Sequence, residues 1–359
     1  MMRHQAFSRA CTLFACILGL TGATSSIARS SVYTQATSVL RLDSALTLMP
    51  AQQDKTQGPK LSDDERKAAK KITDAKGLEA QLQASAEFVK KYPKSVVRPQ
   101  IAKHLAEEIS GTQERALKIS AAQTYLEFFN QPAEADAVEP LLIAAYLDNN
   151  QLDEGFRATA TWLGRHPEDI TMLMRLTIAG SNEAVRGNSN FIKQSQQYGM
   201  KAIELMEADK KPAEIEAAEW PAFKTRWLPV IYREVGIIAF RLDDKATAKT
   251  RLEKAVALKT TDPSVYALLG NFADDDYAAL VNKYKSAPTP AEGEAALKQA
   301  REQLDRVIEL YAQAVALSEA KPEYKQISDQ VTPALQSYYK FRHNNSTDGL
   351  QQLINKYKK

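Results

Sequence analysis

The sequence predicts an all-α protein, a helical solenoid of about six irregular units. Three observations carry this. Ala, Leu, Glu, Lys and Gln dominate while Gly is scarce, at 14 of 359 residues, so most of the chain loses little side-chain freedom in a helix. Apolar residues recur at helical spacing, and runs of Val, Ile and Thr with period two are missing, so no large sheet is expected. Finally, Ala255-Val-Ala-Leu…Pro263 and Ala314-Val-Ala-Leu…Pro322 repeat each other at an offset of 59 residues. Internal repetition of this kind marks supersecondary units that bury their apolar faces against neighbours.

Residues 1–28 read as a secretory signal peptide. Arg3, His4 and Arg9 precede an apolar stretch over 10–20, and small residues follow to Ala28. Cleavage is expected after Ala28, with Ala23 as the alternative site. The apolar stretch is well short of the roughly 20 residues a spanning helix needs. Leu13-Phe14-Ala15-Cys16 resembles a lipobox, but Phe14 is bulky where small residues are preferred. The expected location is therefore periplasmic or secreted, with no transmembrane segment after cleavage. Cys11 and Cys16 are the only cysteines, so loss of the signal leaves no disulfide and no thiol chemistry. Loss of Arg3 and Arg9 also leaves the chain almost neutral, with both signs interspersed. No basic block or stripe marks a nucleic-acid partner.

Residues 29–63, rich in Ser, Thr, Gln and Ala, read as a flexible lead with room for a short helix over 39–48. Ser62 followed by Asp63, Asp64 and Glu65 reads as a helix start. The repeat array is assigned to 64–340. Pro93, Pro132, Pro167, Pro212, Pro263 and Pro322 each follow a second helix and mark a junction, because proline cannot continue a helix but suits the first turn of the next. Residues 78–93 and 153–167 are such second helices. Residues 180–190, with two Gly and several Ser and Asn, read as a long polar turn. Residues 323–339 form a closing cap, read as two helices divided at Thr332-Pro333. Residues 341–359 are a tail with a turn over 344–349 and a short final helix over 350–357.

Within 228–275, Tyr232, Val235, Gly236 and Ala239 share one helix face, and Ala248, Leu252 and Ala255 share the next. Asp243-Asp244-Lys245 is the turn between them. The pattern restarts 34 residues on with Tyr266, Leu269, Gly270 and Ala273. This spacing and period resemble the tetratricopeptide repeat (TPR), of the bacterial secreted or envelope type. The resemblance implies that Gly236 and Gly270 stand where two helices approach closely, that Ala248 sits at the tightest contact, and that Tyr232, Leu252 and Ala255 fill the seam. Beyond Ala273 the pattern is interrupted by an insertion, 283–302, whose Ser286 to Gly293 portion reads as an exposed loop leading into a lengthened helix. Asp274-Asp275-Asp276 lacks the alternating acids of a calcium loop and reads as a solvated turn or groove wall.

The resemblance also implies a right-handed superhelix of antiparallel helix pairs, a TPR-like α-solenoid, with a concave face lined by first helices. Arg233, Ile237, Phe240 and Arg241 would face it from one unit, and Ala267, Asn271, Asp274 and Asp275 from the next. Only Asn271 stands at an asparagine position of the carboxylate-gripping subset. The expected partner is a protein or peptide.

Nothing in the sequence points to catalysis, a metal or a cofactor. His4, His104, His166 and His343 are isolated, and His166 reads as a helix C-terminal residue. No nucleophile elbow or phosphate loop is present. Trp220, Phe223 and Trp227 read either as core or as the rim of a binding surface. The expectation is a non-catalytic scaffold. The alternatives are a helical solute- or glycan-binding accessory with an aromatic rim, and a self-assembling structural component.

Overall fold

The computed structural model describes residues 61–319 and 321–358. The expected signal peptide, nearly all of the expected lead and the expected 39–48 helix fall outside the described residues. The described chain holds helices and no strands. In order they are α1 (Asp63–Asp74), α2 (Leu78–Lys91), α3 (Arg98–Gly111), α4 (Arg115–Phe128), α5 (Pro132–Asp148), α6 (Leu152–Arg165), α7 (Ile170–Val185), α8 (Ile192–Glu207), α9 (Trp220–Arg241), α10 (Lys245–Ala257), α11 (Pro263–Lys285), α12 (Pro290–Glu319), α13 (Lys325–Arg342) and α14 (Leu350–Lys356), with a 3₁₀ turn at Pro322–Tyr324. Successive helices pack as neighbours in pairs. All six junction prolines fall after an even-numbered helix, and Pro132 and Pro263 are the first residues of α5 and α11. The expected succession of helix pairs is thus what the chain forms.

The chain divides into two compact units, with Met172 closing the first and Leu173 opening the second, inside α7. In the first unit, Ser62 caps α1 by accepting from the Glu65 amide at 3.2 Å. The core gathers Ile72, Phe88, Leu105, Ile109, Tyr125 and Phe129, all almost fully buried. Tyr125 and Phe129 stack at 4.8 Å. His166 follows the last residue of α6, as expected, and stacks on Trp162 at 3.9 Å.

In the second unit, α9 and α10 form the hairpin whose spacing the sequence reading singled out. Its turn is Leu242, then Asp243 at φ 61°, then Asp244, whose carboxylate accepts from the Thr247 amide at 3.0 Å. Gly236 faces α10 directly: a Cβ there would lie 2.9 Å from Leu252 Cγ and 3.4 Å from the Ala248 carbonyl oxygen. Tyr232, Ala239, Ala248, Leu252 and Ala255 are all buried in that seam. Tyr266 is buried in α11, and a Cβ on Gly270 would lie 2.4 Å from the ring of Tyr311 on α12. That ring is buried and its hydroxyl donates to Asn271 Oδ1 at 2.8 Å, so it cannot swing away as Leu252 can. Gly270→Ala is therefore expected to destabilise the protein by about 2 kcal/mol. Gly236→Ala should cost less, because better helix propensity offsets a softer clash. Urea unfolding of both variants checks the order.

Four local expectations are corrected. Gly180-Ser181-Asn182 is not a turn but part of α7, and the connection to α8 begins only after Val185. Buried Leu173, Leu176, Thr177 and Ala184 carry the helical period past the glycine, which costs only about 1 kcal/mol in a helix. Asp274-Asp275-Asp276 is likewise helical, inside α11. Tyr338 donates to Asp274 at 2.6 Å, while Lys245 and Lys249 on α10 pair with Asp275 and Asp276, so adjacent acids are tolerated. The supposed loop of the insertion shrinks to residues 286–289, and α11 and α12 lengthen to 23 and 30 residues. Finally, 325–342 is one helix, not two. Buried Val331 and Leu335 flank Pro333 and hold it, and the Thr332 hydroxyl donates to the Ser328 carbonyl at 2.7 Å.

Candidate binding cleft

The first helices of successive pairs in the second unit, α7, α9 and α11, together with the start of α13, enclose a cleft of about 480 Å³. Ile178 and Asn182 come from α7, and Trp227, Pro229, Arg233, Glu234 and Ile237 from α9. The α10–α11 connection adds Leu258 to Asp262, and Lys321, Tyr324 and Ile327 close the far side. Pro229 lies inside α9, but Leu228, Ile231 and Tyr232 are buried around it and hold the helix together.

A charge triad stands in the wall. The Arg233 guanidinium donates to Glu234 and to Asp262. Glu234 is 2% exposed. Asp262 also caps α11, accepting from the Ser264 amide at 2.9 Å and from its hydroxyl at 2.5 Å. Tyr324 donates to the other Asp262 oxygen at 3.4 Å. Burial opposes charge on Arg233, Asp262 and Tyr324. It pushes Arg233 down, yet the two carboxylates more than offset that and hold the guanidinium protonated. It pushes Asp262 up, yet Arg233 and Ser264 outweigh it and keep the carboxylate below its ordinary value. Burial and the neighbouring Asp262 together push the Tyr324 hydroxyl up to about 12, so it remains a donor. Both carboxylates of the triad are occupied by the two terminal guanidinium nitrogens, while the buried Arg233 Nε has no acceptor among the described residues.

The rest of the cleft is apolar with a basic edge. Trp227, Pro229, Ile237 and Ile327 are buried in its wall, and Leu258 is 40% exposed at its edge. Arg226, Lys259 and Lys321 also line it. The surface can hold a chain segment by apolar contact and charge. Among the described residues no cluster of His, Cys, Asp and Glu could hold a metal ion, and no helix is long and apolar enough to cross a membrane.

Of the residues expected on the concave face, Arg233 and Ile237 line this cleft. The others are engaged elsewhere, and Asp275 stands exposed, paired with Lys245. Phe240 packs edge-on against Phe272 at 5.9 Å. Arg241 donates to the Val185 carbonyl at 3.1 Å. Asn271 is buried under Tyr311, Ala267 is fully buried, and Asp274 holds Tyr338. Trp220 is buried, donates to Asp209 at 2.8 Å and stacks on Phe223 at 5.6 Å, so it belongs to the core side of the choice left open by sequence. Trp227, 7% exposed, is core as well, with an edge on the cleft. Sequence reasoning missed Glu234, Asp262, Arg226, Lys259, Lys321 and Tyr324. Thr261-Asp262-Pro263 does carry a readable cap signal; nothing local ties it to Arg233.

No protein-family model matches the chain, and no curated protein matches it.

Proposed function

We propose that the chain is a non-catalytic scaffold of the TPR kind, delivered to the bacterial cell envelope, that grips a protein or peptide segment in the cleft of its second unit. The cleft carries this reading: it opens among first helices, the elements a TPR-like array turns toward its ligand, and it pairs an apolar wall with free charge at the edge. The TPR assignment is supported by the 34-residue restart and by the close approach of Gly236 to Ala248 and Leu252. Export is supported by the basic, apolar, small order of residues 1–28. The absence of catalytic constellations from the sequence supports binding over turnover.

A photo-crosslinking residue placed in the cells' own protein tests it. Thr225 and Thr261 are exposed and line the cleft, whereas Phe341 is exposed and lines no part of it. Crosslinks to a defined protein from 225 and 261, but not from 341, are expected. Equal crosslinking from all three, or none from the cleft positions, would overturn the proposal.

A further inference from the structure

We propose that the segment held in the cleft is acidic, an extended stretch with carboxylates around a large apolar side chain; this rests on the binding reading above. Six charged residues line the cleft: Arg226, Arg233, Lys259 and Lys321 against Glu234 and Asp262. Both acids are already committed to Arg233, and Asp262 in addition to the start of α11 and to Tyr324. That leaves Arg226, Lys259 and Lys321, none of which has a carboxylate partner among the described residues. Arg226 rests on the Trp227 ring at 5.1 Å. Lys321 lies 5.5 Å from the Tyr324 ring centre and donates to the Thr261 carbonyl at 3.3 Å.

Three other cations of the unit do have such partners. Lys245, Lys249 and Arg306 each pair with an acid of the same unit, Asp275, Asp276 and Glu253. In a chain of nearly balanced charge, the cleft thus carries a local positive excess, four cations against two acids. The exposed Leu258 and the buried Trp227, Ile237 and Ile327 give the apolar half of the complement. An acidic segment would meet unpaired cations at little desolvation cost, because they sit at the edge, and its apolar side chain would cover the wall. A basic segment would meet like charges, which disfavours it.

The probe is a displayed library of random peptides, selected on the full chain without its proposed signal. Parallel selections use a filled variant, Thr225→Trp/Thr261→Trp, and a reversed variant, Arg226→Glu/Lys259→Glu/Lys321→Glu. All these positions are at the surface or the cleft edge, and circular dichroism confirms that both variants fold. Peptides that need the open cleft are expected to be net acidic with at least one large apolar residue. They should bind the reversed variant at least roughly tenfold more weakly, and weaken as salt is raised. Cleft-dependent peptides that are neutral or basic would overturn the acidic assignment while leaving the binding cleft standing. Cleft-dependent dimerisation of the chain would also overturn it, by naming a second copy as the occupant. If no peptide distinguishes the wild type from the filled variant, the binding reading falls and this inference falls with it.

Discussion

Arg233→Met is expected to cost about 3–5 kcal/mol, because it strips the cation from two carboxylates that the fold keeps from water. Glu234 is 2% exposed and the Asp262 side chain 11%. Ser264 and Tyr324 would still donate to Asp262, but no donor would replace Arg233 on Glu234. Urea unfolding followed by the fluorescence of Trp220 and Trp227, both on α9, reads the loss at the right place. The deficit is pH-dependent. In the wild type the Asp262 pKa is depressed, so its contribution is complete above the unfolded value, about 4, and is lost as pH falls through the folded value. In the variant Asp262 loses the Arg233 charge that offsets its burial, so its carboxylate shifts upward and can neutralise by taking up a proton. The difference between the two proteins should therefore be largest near neutral pH and shrink toward and below about pH 4. Arg233→Lys should recover part of the loss, since a point charge replaces the guanidinium fork imperfectly. A deficit that stays constant with pH would show that Arg233 acts by packing instead.

Much of the fold was legible because its signals are local. A proline in the first turn, a capping Ser62 or Asp244, and the seam residues Tyr232, Gly236, Ala248 and Leu252 act within one hairpin. The errors share one cause. Gly180, Asp274-Asp275-Asp276, Pro288 to Pro290 and Pro333 are each locally unfavourable to a helix; three were read as breaks, and the acids as a solvated turn or groove wall. Three of the four stretches are helical because packing or a partner outweighs the local penalty: buried Leu176, Thr177 and Ala184 around Gly180, Tyr338 and Lys249 for Asp274 and Asp276, and buried Val331 and Leu335 around Pro333. In the fourth, the break exists but is four residues long, since Pro290 opens α12 rather than interrupting it.

The cleft was legible in direction and not in membership. Helical register placed Arg233 and Ile237 on its face, yet the same register placed Phe240, Arg241, Asn271 and Asp274 there too. Register tells which way a residue points from its own helix; it does not tell whether another helix has arrived in front of it. Tyr311 from α12 covers Asn271, and Tyr338 from α13 reaches Asp274, at sequence separations of 40 and 64 residues. Lys321 and Tyr324 enter the cleft from a segment beyond the α11–α12 hairpin, so their role has no short-range signature.

The first unit holds a second buried ion pair, and there the decisive experiment is a double substitution. Arg98 and Glu134 are each 7% exposed. The pair is bidentate, with Arg98 Nε donating to Oε1 at 2.7 Å and Nη2 to Oε2 at 2.8 Å. Arg98 also donates to the Phe128 carbonyl at 2.9 Å and to the Pro93 carbonyl at 3.3 Å, tying α3 to the ends of α2 and α4. Arg98→Met alone should cost about 3–5 kcal/mol, because Glu134 is left charged and buried. Adding Glu134→Leu removes that charge, and much of the loss should return. It should not return fully: the two carbonyls lose their donor, and the Gln131 amide loses the Glu134 acceptor that completes the α5 capping box. A coupling energy of roughly 1–3 kcal/mol in the double-mutant cycle would measure the pair itself, separately from those connections. No coupling would mean that Arg98 contributes only through the carbonyls, as a strut between helix pairs rather than as half of an ion pair.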